Sequence, residues 1–184
     1  MSIWKKRLIA QSDLMTLSEK LKEQNKKIVF TAGSWDLIHA GQCRYLEEAK
    51  KYGDILVVGV SSNSAISKVK GPNKPILDEK IRAEMLTFLR SVDFVTILPE
   101  PSCQPSLGLL KPDVYVTVKE DWTDNYKDSR EYKTVTKYGG EVIVVDRQST
   151  SVSTTQILQR AVGGHLNDVL KDFMQYRKDP IKEK

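Results

Sequence analysis

The sequence predicts an α/β protein built on an open parallel five-stranded sheet with helices on both faces. Two observations carry this prediction. Five short apolar runs of the kind found in buried parallel strands recur along the 184 residues. Helical patterns separate these runs, and the alternation of strand and helix is typical of parallel sheets. The length suits a single α/β domain, and the chain contains no internal repeat.

The first elements follow from hydrophobic spacing. Leucines recur at helical spacing over residues 12–26 and predict a helix. The run KKIVFTAG (26–33) is predicted to be a buried strand. A second helix is predicted from His39 to Lys51, with Gly53 at the position expected for its carboxyl-terminal cap.

The next part of the chain is predicted as a strand, a long loop and a helix. ILVVGV (55–60) is a continuous apolar run and is predicted to be the second strand. Residues 61–76 are polar, rich in lysine and broken by glycine and proline, which predicts a functional or mobile loop. A helix is predicted from Asp78 to Arg90, and three apolar residues share one of its faces: Ile81, Met85 and Leu89.

Three further apolar runs complete the predicted sheet: residues 92–97, 113–118 and 139–146. A short helix that ends at Pro112 separates the first two runs, and a loop followed by a helix over 121–138 separates the last two. The final helix is predicted to begin at about Thr154.

Composition and charge exclude several classes of protein. The net charge is +5, from 29 Lys and Arg against 24 Asp and Glu, which favours anionic ligands such as phosphates. The basic residues alternate with acidic ones, so no nucleic-acid partner is expected. No apolar run is long enough to span a bilayer, so no membrane partner is expected. Two cysteines without a CxxC pair predict neither a disulfide framework nor a zinc site, and a cytoplasmic location is expected.

Ligands of such sheets lie at the carboxyl ends of the strands, near the change in strand order. Four segments follow predicted strands and are therefore candidates: residues 31–42, 61–76, 117–122 and 147–155. No Gly-x-Gly-x-x-Gly follows the first strand and no P-loop motif occurs, which excludes the usual dehydrogenase and P-loop kinase patterns.

The segment TAGSWDLIHAGQ (31–42) has the residue types that a phosphate site needs. It leads from the first strand into a helix whose first amides lack helical partners and whose dipole end is positive. Small residues let a polyphosphate approach the backbone, and His39 at the helix start can donate to a phosphate oxygen.

This segment, extended to TAGSWDLIHAGQCRYLEEAK, resembles the signature of the cytidylyltransferase-like nucleotidyltransferases, in which Gly-x-Phe-Asp precedes His-x-Gly-His. The resemblance is strongest to the D-glycero-β-D-manno-heptose 1-phosphate adenylyltransferase group, followed by glycerol-3-phosphate cytidylyltransferase and archaeal FAD synthetase. KKIVF, KGPNKPI, RAEML, KPD, GGEVIVV and STTQI match in order over roughly residues 10–160. The resemblance implies a Rossmann-like nucleotidyltransferase domain over 1–161, including the amino-terminal helix, and a helical tail over 162–184.

The resemblance implies transfer of a nucleoside monophosphate from a nucleoside triphosphate (NTP) to a small phosphorylated acceptor, with release of pyrophosphate. The resemblance also implies Mg²⁺ held mainly by the triphosphate, and the lack of a carboxylate cluster in the sequence agrees with that arrangement. ATP with a sugar phosphate is favoured, and CTP with a polyol phosphate such as glycerol 3-phosphate is the alternative. Family membership also suggests a homodimer.

The resemblance assigns roles to individual residues. His39 is expected to contact the triphosphate and Asp36 to order the loop. The residues expected to have catalytic roles are His39, Gln42, Lys70 and Arg82, and Arg82 is expected to hold either the phosphates or the loop. The residues expected to bind nucleotide are Thr31, Ala32, Gly33, Ser34, Trp35, His39, Gly41, Lys68, Asp121, Trp122, Ser153, Thr154 and Thr155. No residue is expected to bind a metal.

The sequence departs from the family pattern at two places. Gln42 replaces the second histidine, so a neutral donor replaces a group that could be cationic, with a cost of ~1–1.5 kcal/mol or about tenfold in rate. A nucleotide-binding protein with little turnover is therefore a further alternative. The glycine expected at 117–120 is missing, which affects the recognition of the base, while Asp121, Trp122 and Arg147 favour the CTP alternative.

Overall fold

The computed structural model describes residues 2–119, 125–146, 148 and 153–178. Its described residues form five strands: β1 (Ile28–Gly33), β2 (Ile55–Ser61), β3 (Phe94–Leu98), β4 (Val114–Val118) and β5 (Glu141–Val145). They pair as one fully parallel sheet in the order β3-β2-β1-β4-β5. The predicted Rossmann-like parallel five-stranded sheet is confirmed, and its order changes direction at β1.

Eight α-helices lie within the described ranges: α1 (Ile3–Arg7), α2 (Leu14–Glu23), α3 (Ala40–Lys50), α4 (Asn63–Lys70), α5 (Glu79–Thr87), α6 (Gln104–Leu110), α7 (Arg130–Lys137) and α8 (Thr154–Lys178). The division predicted at residue 161 falls inside the continuous helix α8 and stays a prediction. None of these helices has both the length and the hydrophobicity needed to cross a membrane.

The core lies on both faces of the sheet because successive residues of a strand point to opposite sides. In β1, Val29 packs with Leu46 of α3 on one face. Its neighbours Ile28 and Phe30 pack with Leu107 of α6 on the other face. All five side chains are fully buried, so helices cover both faces of the sheet, as predicted.

The prediction of a loop over 61–76 is wrong for its first half, because residues 63–70 form α4. Ser62 caps this helix by accepting a hydrogen bond from the amide of Ala65 at 3.1 Å, and Ala65 and Ile66 are buried. The lysines that suggested a loop lie on its exposed face. Gly71 ends the helix with a φ of 92°, a conformation that glycine adopts without strain.

Ile81 and Met85 share one face of α5, as predicted, and this face points away from the core. Ile81 and Met85 are 49% and 36% exposed, whereas Arg82, Ala83 and Leu86 are buried. An arginine normally marks the solvent side of a helix. Here the Arg82 side chain is buried on the same side of the helix as Ala83 and Leu86, and Ile81 and Met85 face outward.

Gly53 is required for a different reason from the one the sequence suggested. The last turn of α3 ends at Lys51 in a right-handed conformation, and Gly53 does not adopt a left-handed one. A Cβ at Gly53 would lie 2.7 Å from the carbonyl oxygen of Lys27 and 2.7 Å from Val29 Cγ2. The glycine therefore allows this turn to pack closely against the start of β1.

Candidate active site

A cavity of about 620 Å³ opens at the carboxyl edge of the sheet, where the strand order changes. The loop after β1 and the first turns of α3 and α8 form much of its wall, and residues of α4 also line it. The residues predicted for the site that line it are Ala32, Gly33, Ser34, Trp35, His39, Gly41, Gln42, Lys70, Ser153, Thr154 and Thr155. Segments far apart in the sequence thus meet in one place.

The other candidates lie elsewhere. Thr31 and Arg82 are buried, and Lys68 is exposed on α4; none of the three lines the cavity. Asp121, Trp122 and Arg147 lie outside the described residues.

His39 and Gln42 form the start of α3. His39 is the residue before the first helical turn, with an extended backbone, and its carbonyl accepts the amides of Gln42 and Cys43 at 2.9 and 3.1 Å. The Gln42 side chain folds back so that its Oε1 accepts the His39 amide at 3.2 Å. This contact uses the oxygen of the Gln42 amide group and leaves the NH₂ group as its donor toward a ligand.

Lys70 reaches from the end of α4 to the loop after β1. Its Nζ donates to Ser34 Oγ at 2.8 Å, and the lysine is exposed. A lysine ammonium has three donors, so it can contact an anion in the cavity while keeping Ser34. This contact distinguishes Lys70 from its neighbour Lys68.

Asp36 also holds the loop after β1 in place. The carboxylate is buried, and its two oxygens accept the amides of Ile76 and Leu77 at 2.9 and 3.1 Å. Its backbone carbonyl accepts the Thr154 hydroxyl at 2.6 Å. Asp36 therefore orders the loop and joins it to α8, and its carboxylate does not line the cavity.

Arg82 is 1% exposed and joins the ends of β1 and β2. Its guanidinium donates to the carbonyls of Ser34 and Ser61, the second at 2.9 Å. It also donates to the carbonyl of Leu77 and to Asn63 Oδ1, both at 2.9 Å.

Burial lowers the pKa of the Arg82 guanidinium, while the negative charges of Asp36, Glu79 and Asp78 act in the opposite direction. An arginine remains protonated in proteins, so Arg82 places a fixed positive charge beneath the cavity. Of the two roles that the resemblance offers for Arg82, its hydrogen bonds favour holding the loop.

Trp35 fixes the loop in a backbone conformation that a non-glycine residue seldom adopts. Its φ is 52°, and its indole N–H donates to the carbonyl of Gly59 in β2 at 2.8 Å. The ring packs on Tyr45, with 6.0 Å between ring centroids. A phenylalanine at this position could not make the hydrogen bond to β2.

Tyr45 is a wall residue of the cavity that sequence reasoning missed. Its hydroxyl donates to the carbonyl of Val116 at 3.0 Å and lies 2.7 Å from Thr31 Oγ1. Thr31 therefore braces Tyr45. No sequence signal separates this tyrosine from an ordinary core residue of α3, because its role depends on a contact with β4.

The amino termini of α3 and α8 converge on the cavity. The Ser153 hydroxyl accepts the Gln156 amide at 3.2 Å and so caps α8, and Thr154 and Thr155 of its first turn line the wall. Both helix ends present amides that have no partner within the helix, together with the positive end of a helix dipole. Two such ends at one cavity favour a polyanion with several phosphate groups.

The described lining of the cavity contains no carboxylate, and Lys70 is its one formally charged side chain. Within the described part of the chain, no group of three or more His, Cys, Asp and Glu side chains could hold a metal ion.

An open parallel sheet with two helix amino termini at a switch-point cavity, and with no carboxylate in the described part of its lining, is typical of α/β proteins that bind phosphate groups. The family comparison narrows this class. Residues 30–160 match the family model described as cytidylyltransferase-like, and the chain belongs to this family.

Curated relatives support the same assignment. The chain is 39% identical over 153 residues to the "Bifunctional protein HldE" of Geobacter metallireducens, which covers 82% of this chain and 30% of the relative. It is 42% identical over 113 residues to the protein of the same name from Campylobacter jejuni subsp. doylei. That match covers 61% of this chain and 24% of the relative. The chain thus spans about a quarter to a third of the length of these relatives.

A solved structure has a similar fold. The lipopolysaccharide core biosynthesis protein from Thermoplasma volcanium superposes with a TM-score of 0.56 and 29% sequence identity. The match covers 66% of this chain and 96% of that one.

Proposed function

We propose that this chain transfers a nucleoside monophosphate from Mg²⁺-bound ATP to a sugar phosphate such as heptose 1-phosphate, with release of pyrophosphate. One observation carries the proposal: two helix amino termini, His39 and Lys70 meet at a cavity whose described lining has no carboxylate. This arrangement suits a triphosphate, because no side chain of the described lining carries a negative charge that would repel it.

The chemistry requires no nucleophile from the protein. A phosphate oxygen of the acceptor attacks the α-phosphorus, and the bond from that phosphorus to the bridging oxygen of the β-phosphate breaks. Pyrophosphate leaves with the electron pair, and no proton has to move, because the attacking oxygen is already ionised. The protein contributes position and stabilisation of the developing negative charge.

Each group at the cavity has a defined part in this reaction. The amides of α3 and the His39 side chain bind the phosphates, and Lys70 adds a mobile positive charge at the rim. Arg82 and Asp36 keep the loop in place from outside the cavity lining, and Trp35 ties the loop to β2 while lining the cavity itself. Mg²⁺ enters as part of the substrate, coordinated by the triphosphate.

The Gln42 geometry is compatible with turnover. The Oε1 atom of Gln42 accepts the His39 amide, and the NH₂ group of the same side chain points away from this hydrogen bond. Gln42 can therefore donate to a phosphate oxygen as a neutral group. The expected cost relative to a charged donor is about tenfold in rate. The alternative of a nucleotide-binding protein with little turnover predicts binding without release of pyrophosphate.

ATP and a sugar phosphate are proposed because the motifs resemble the heptose group and because the curated relatives are named HldE. The similar solved structure is named as a lipopolysaccharide core biosynthesis protein, which points in the same direction. CTP with glycerol 3-phosphate remains the second candidate, because Asp121, Trp122 and Arg147 resemble motif residues of the glycerol-3-phosphate cytidylyltransferases. We also propose a cytoplasmic location, supported by two cysteines that form no disulfide.

The test measures pyrophosphate release in a matrix of ATP or CTP with heptose 1-phosphate or glycerol 3-phosphate, in the presence of Mg²⁺. We expect turnover with ATP and the heptose phosphate. Lys70→Ala should reduce kcat/KM, whereas Lys68→Ala, on the exposed face of the same helix, should not. Binding of nucleotide without release of pyrophosphate in any combination would contradict the proposal and favour the alternative without turnover.

A further inference from the structure

Lys70 is held by a residue of the loop after β1, although its own side chain is exposed. The ammonium donates to Ser34 Oγ at 2.8 Å, and both residues line the cavity. An exposed lysine samples many rotamers, and ordering it for a ligand costs conformational entropy. A protein acceptor that keeps the ammonium at the cavity before a ligand arrives removes part of that cost.

The backbone of Lys70 is also fixed. Lys70 is the last residue of α4, and the Gly71 amide closes the helix by donating to the carbonyl of Ser67 at 3.0 Å. Gly71 has a φ of 92° and a ψ of 168°, a combination that is almost restricted to glycine, so the helix ends directly after Lys70. The lysine side chain therefore connects a fixed helix end to its acceptor.

Ser34 is held in place by its own neighbours. Its backbone carbonyl accepts the guanidinium of Arg82, which is buried. Gly33, the residue before it, ends β1, and Trp35, the residue after it, is tied to the carbonyl of Gly59 in β2. The Ser34 hydroxyl thus belongs to a braced segment, as an anchor for a flexible side chain requires.

We propose that Ser34 is a positioning residue, whose hydroxyl holds the Lys70 ammonium at the cavity for the triphosphate. The inference deepens the proposed function and rests on it for the identity of the anion. The resemblance assigns Ser34 to the nucleotide itself, whereas here its hydroxyl acts through Lys70. Two N–H donors of the ammonium are left for phosphate oxygens while the third keeps Ser34.

Lys68 provides a matched control on the same helix. A separation of two residues turns an α-helix by about 200°, so the two lysines leave the helix on nearly opposite sides. Lys68 is exposed and does not line the cavity. The contact with Ser34 is what distinguishes Lys70 from this neighbour of the same chemistry.

Order parameters of the lysine ammonium groups test the anchor without any ligand. The ¹⁵N signals of the two lysines are assigned from Lys68→Ala and Lys70→Ala, at mildly acidic pH where exchange with water is slow. The Lys70 ammonium should be more ordered than that of Lys68 on the ps–ns timescale, and Ser34→Ala should lower it to the level of Lys68. Equal order in the wild type, or no change in Ser34→Ala, would overturn the proposal.

A double-mutant cycle in nucleotide affinity tests the consequence for binding. The probe is Mg²⁺-bound ATP or CTP, whichever binds the wild type more tightly by calorimetry. Ser34→Ala should weaken binding by about two- to tenfold, because Lys70 must then be ordered by the ligand. The same substitution should have no further effect in Lys70→Ala and its full effect in Lys68→Ala. An equal loss in the Lys70→Ala background would mean that the hydroxyl contacts the nucleotide directly and would contradict the proposal.

The conservative variant separates the hydroxyl from the space it fills. Ser34→Thr keeps the acceptor and should keep the order of Lys70, with thermal unfolding as the control for an intact fold. Loss of that order in a folded Ser34→Thr would count against the hydroxyl as the anchor. The inference and the proposed function fail separately: the cycle without release of pyrophosphate leaves the positioning role intact, and turnover without the cycle leaves the reaction intact.

Discussion

The two edges of the sheet satisfy their polar groups in different ways. At the amino edge, three aspartates accept backbone amides at the starts of strands. Asp113 accepts Ile28 at 2.7 Å, Asp54 accepts Lys27 at 2.8 Å, and Asp93 accepts Leu56 at 2.7 Å. Lys50 forms an ion pair with Asp93 at the same edge.

At the carboxyl edge, the polar groups instead surround a cavity. Arg82 and Asp36 hold the loop after β1 by hydrogen bonds on the side away from the cavity. The side of the loop that lines the cavity is open to a ligand. Carboxylates thus close the amino edge and are missing from the described lining of the cavity. At the amino edge, side chains of the protein accept the backbone amides, whereas at the carboxyl edge we expect a polyanionic ligand to accept them.

Replacing Arg82, which holds the loop at the carboxyl edge, should lower the stability of the protein more than any other change considered below. Arg82→Leu leaves the carbonyls of Ser34 and Ser61 buried without their donor and leaves Asp36 without its nearby cation. We expect a loss of about 3–5 kcal/mol in the free energy of unfolding, measured by urea titration. Arg82→Lys keeps the charge but not the branched donor group and should recover only part of the loss. A change below ~1 kcal/mol in Arg82→Leu would show that the loop does not depend on Arg82.

The second prediction concerns His39, which lines the cavity. His39→Ala removes a donor placed for the phosphates and should lower turnover by roughly 10²-fold or more, with little change in stability. Steady-state release of pyrophosphate measures the change, and thermal unfolding provides the control. Near-normal turnover would remove His39 from the mechanism.

The amino edge should respond in the opposite manner. Asp113→Ala leaves the Ile28 amide without its acceptor and should cost about 1–3 kcal/mol in the free energy of unfolding. The affinity for Mg²⁺-bound nucleotide, measured by calorimetry at a temperature where the variant is folded, should not change. A parallel loss of affinity would mean that the two edges are not independent.

The smallest effect concerns the departure from the family motif. Gln42→His restores the second histidine and should keep activity or raise it by up to about tenfold, since a charged donor replaces a neutral one. The kcat of both forms measures the effect. A large loss would show that Gln42 has a specialised role, for which its bond to the His39 amide is the structural basis.

Much of the fold and of the cavity wall could be predicted because both depend on local patterns. Apolar runs placed the five strands, and the rule that ligands lie at the carboxyl ends selected segments that the structure brings together. The prediction failed where tertiary contacts overrule local composition. Residues 63–70 form a helix because Ala65 and Ile66 pack inward. The burial of Arg82 in α5 was not predicted either, because its four protein acceptors come from other segments of the chain. Tyr45 gave no signal at all, since its acceptor is in a distant strand.

The central claim is that a triphosphate binds at the carboxyl edge of the sheet, against the amino termini of α3 and α8. Amide chemical shifts recorded during titration with Mg²⁺-bound ATP test it most directly. The largest shifts are expected at residues 32–42 and 153–156, with none at Lys27, Ile28 and Leu56. Shifts centred on the amino edge, or no shifts at millimolar nucleotide, would contradict it.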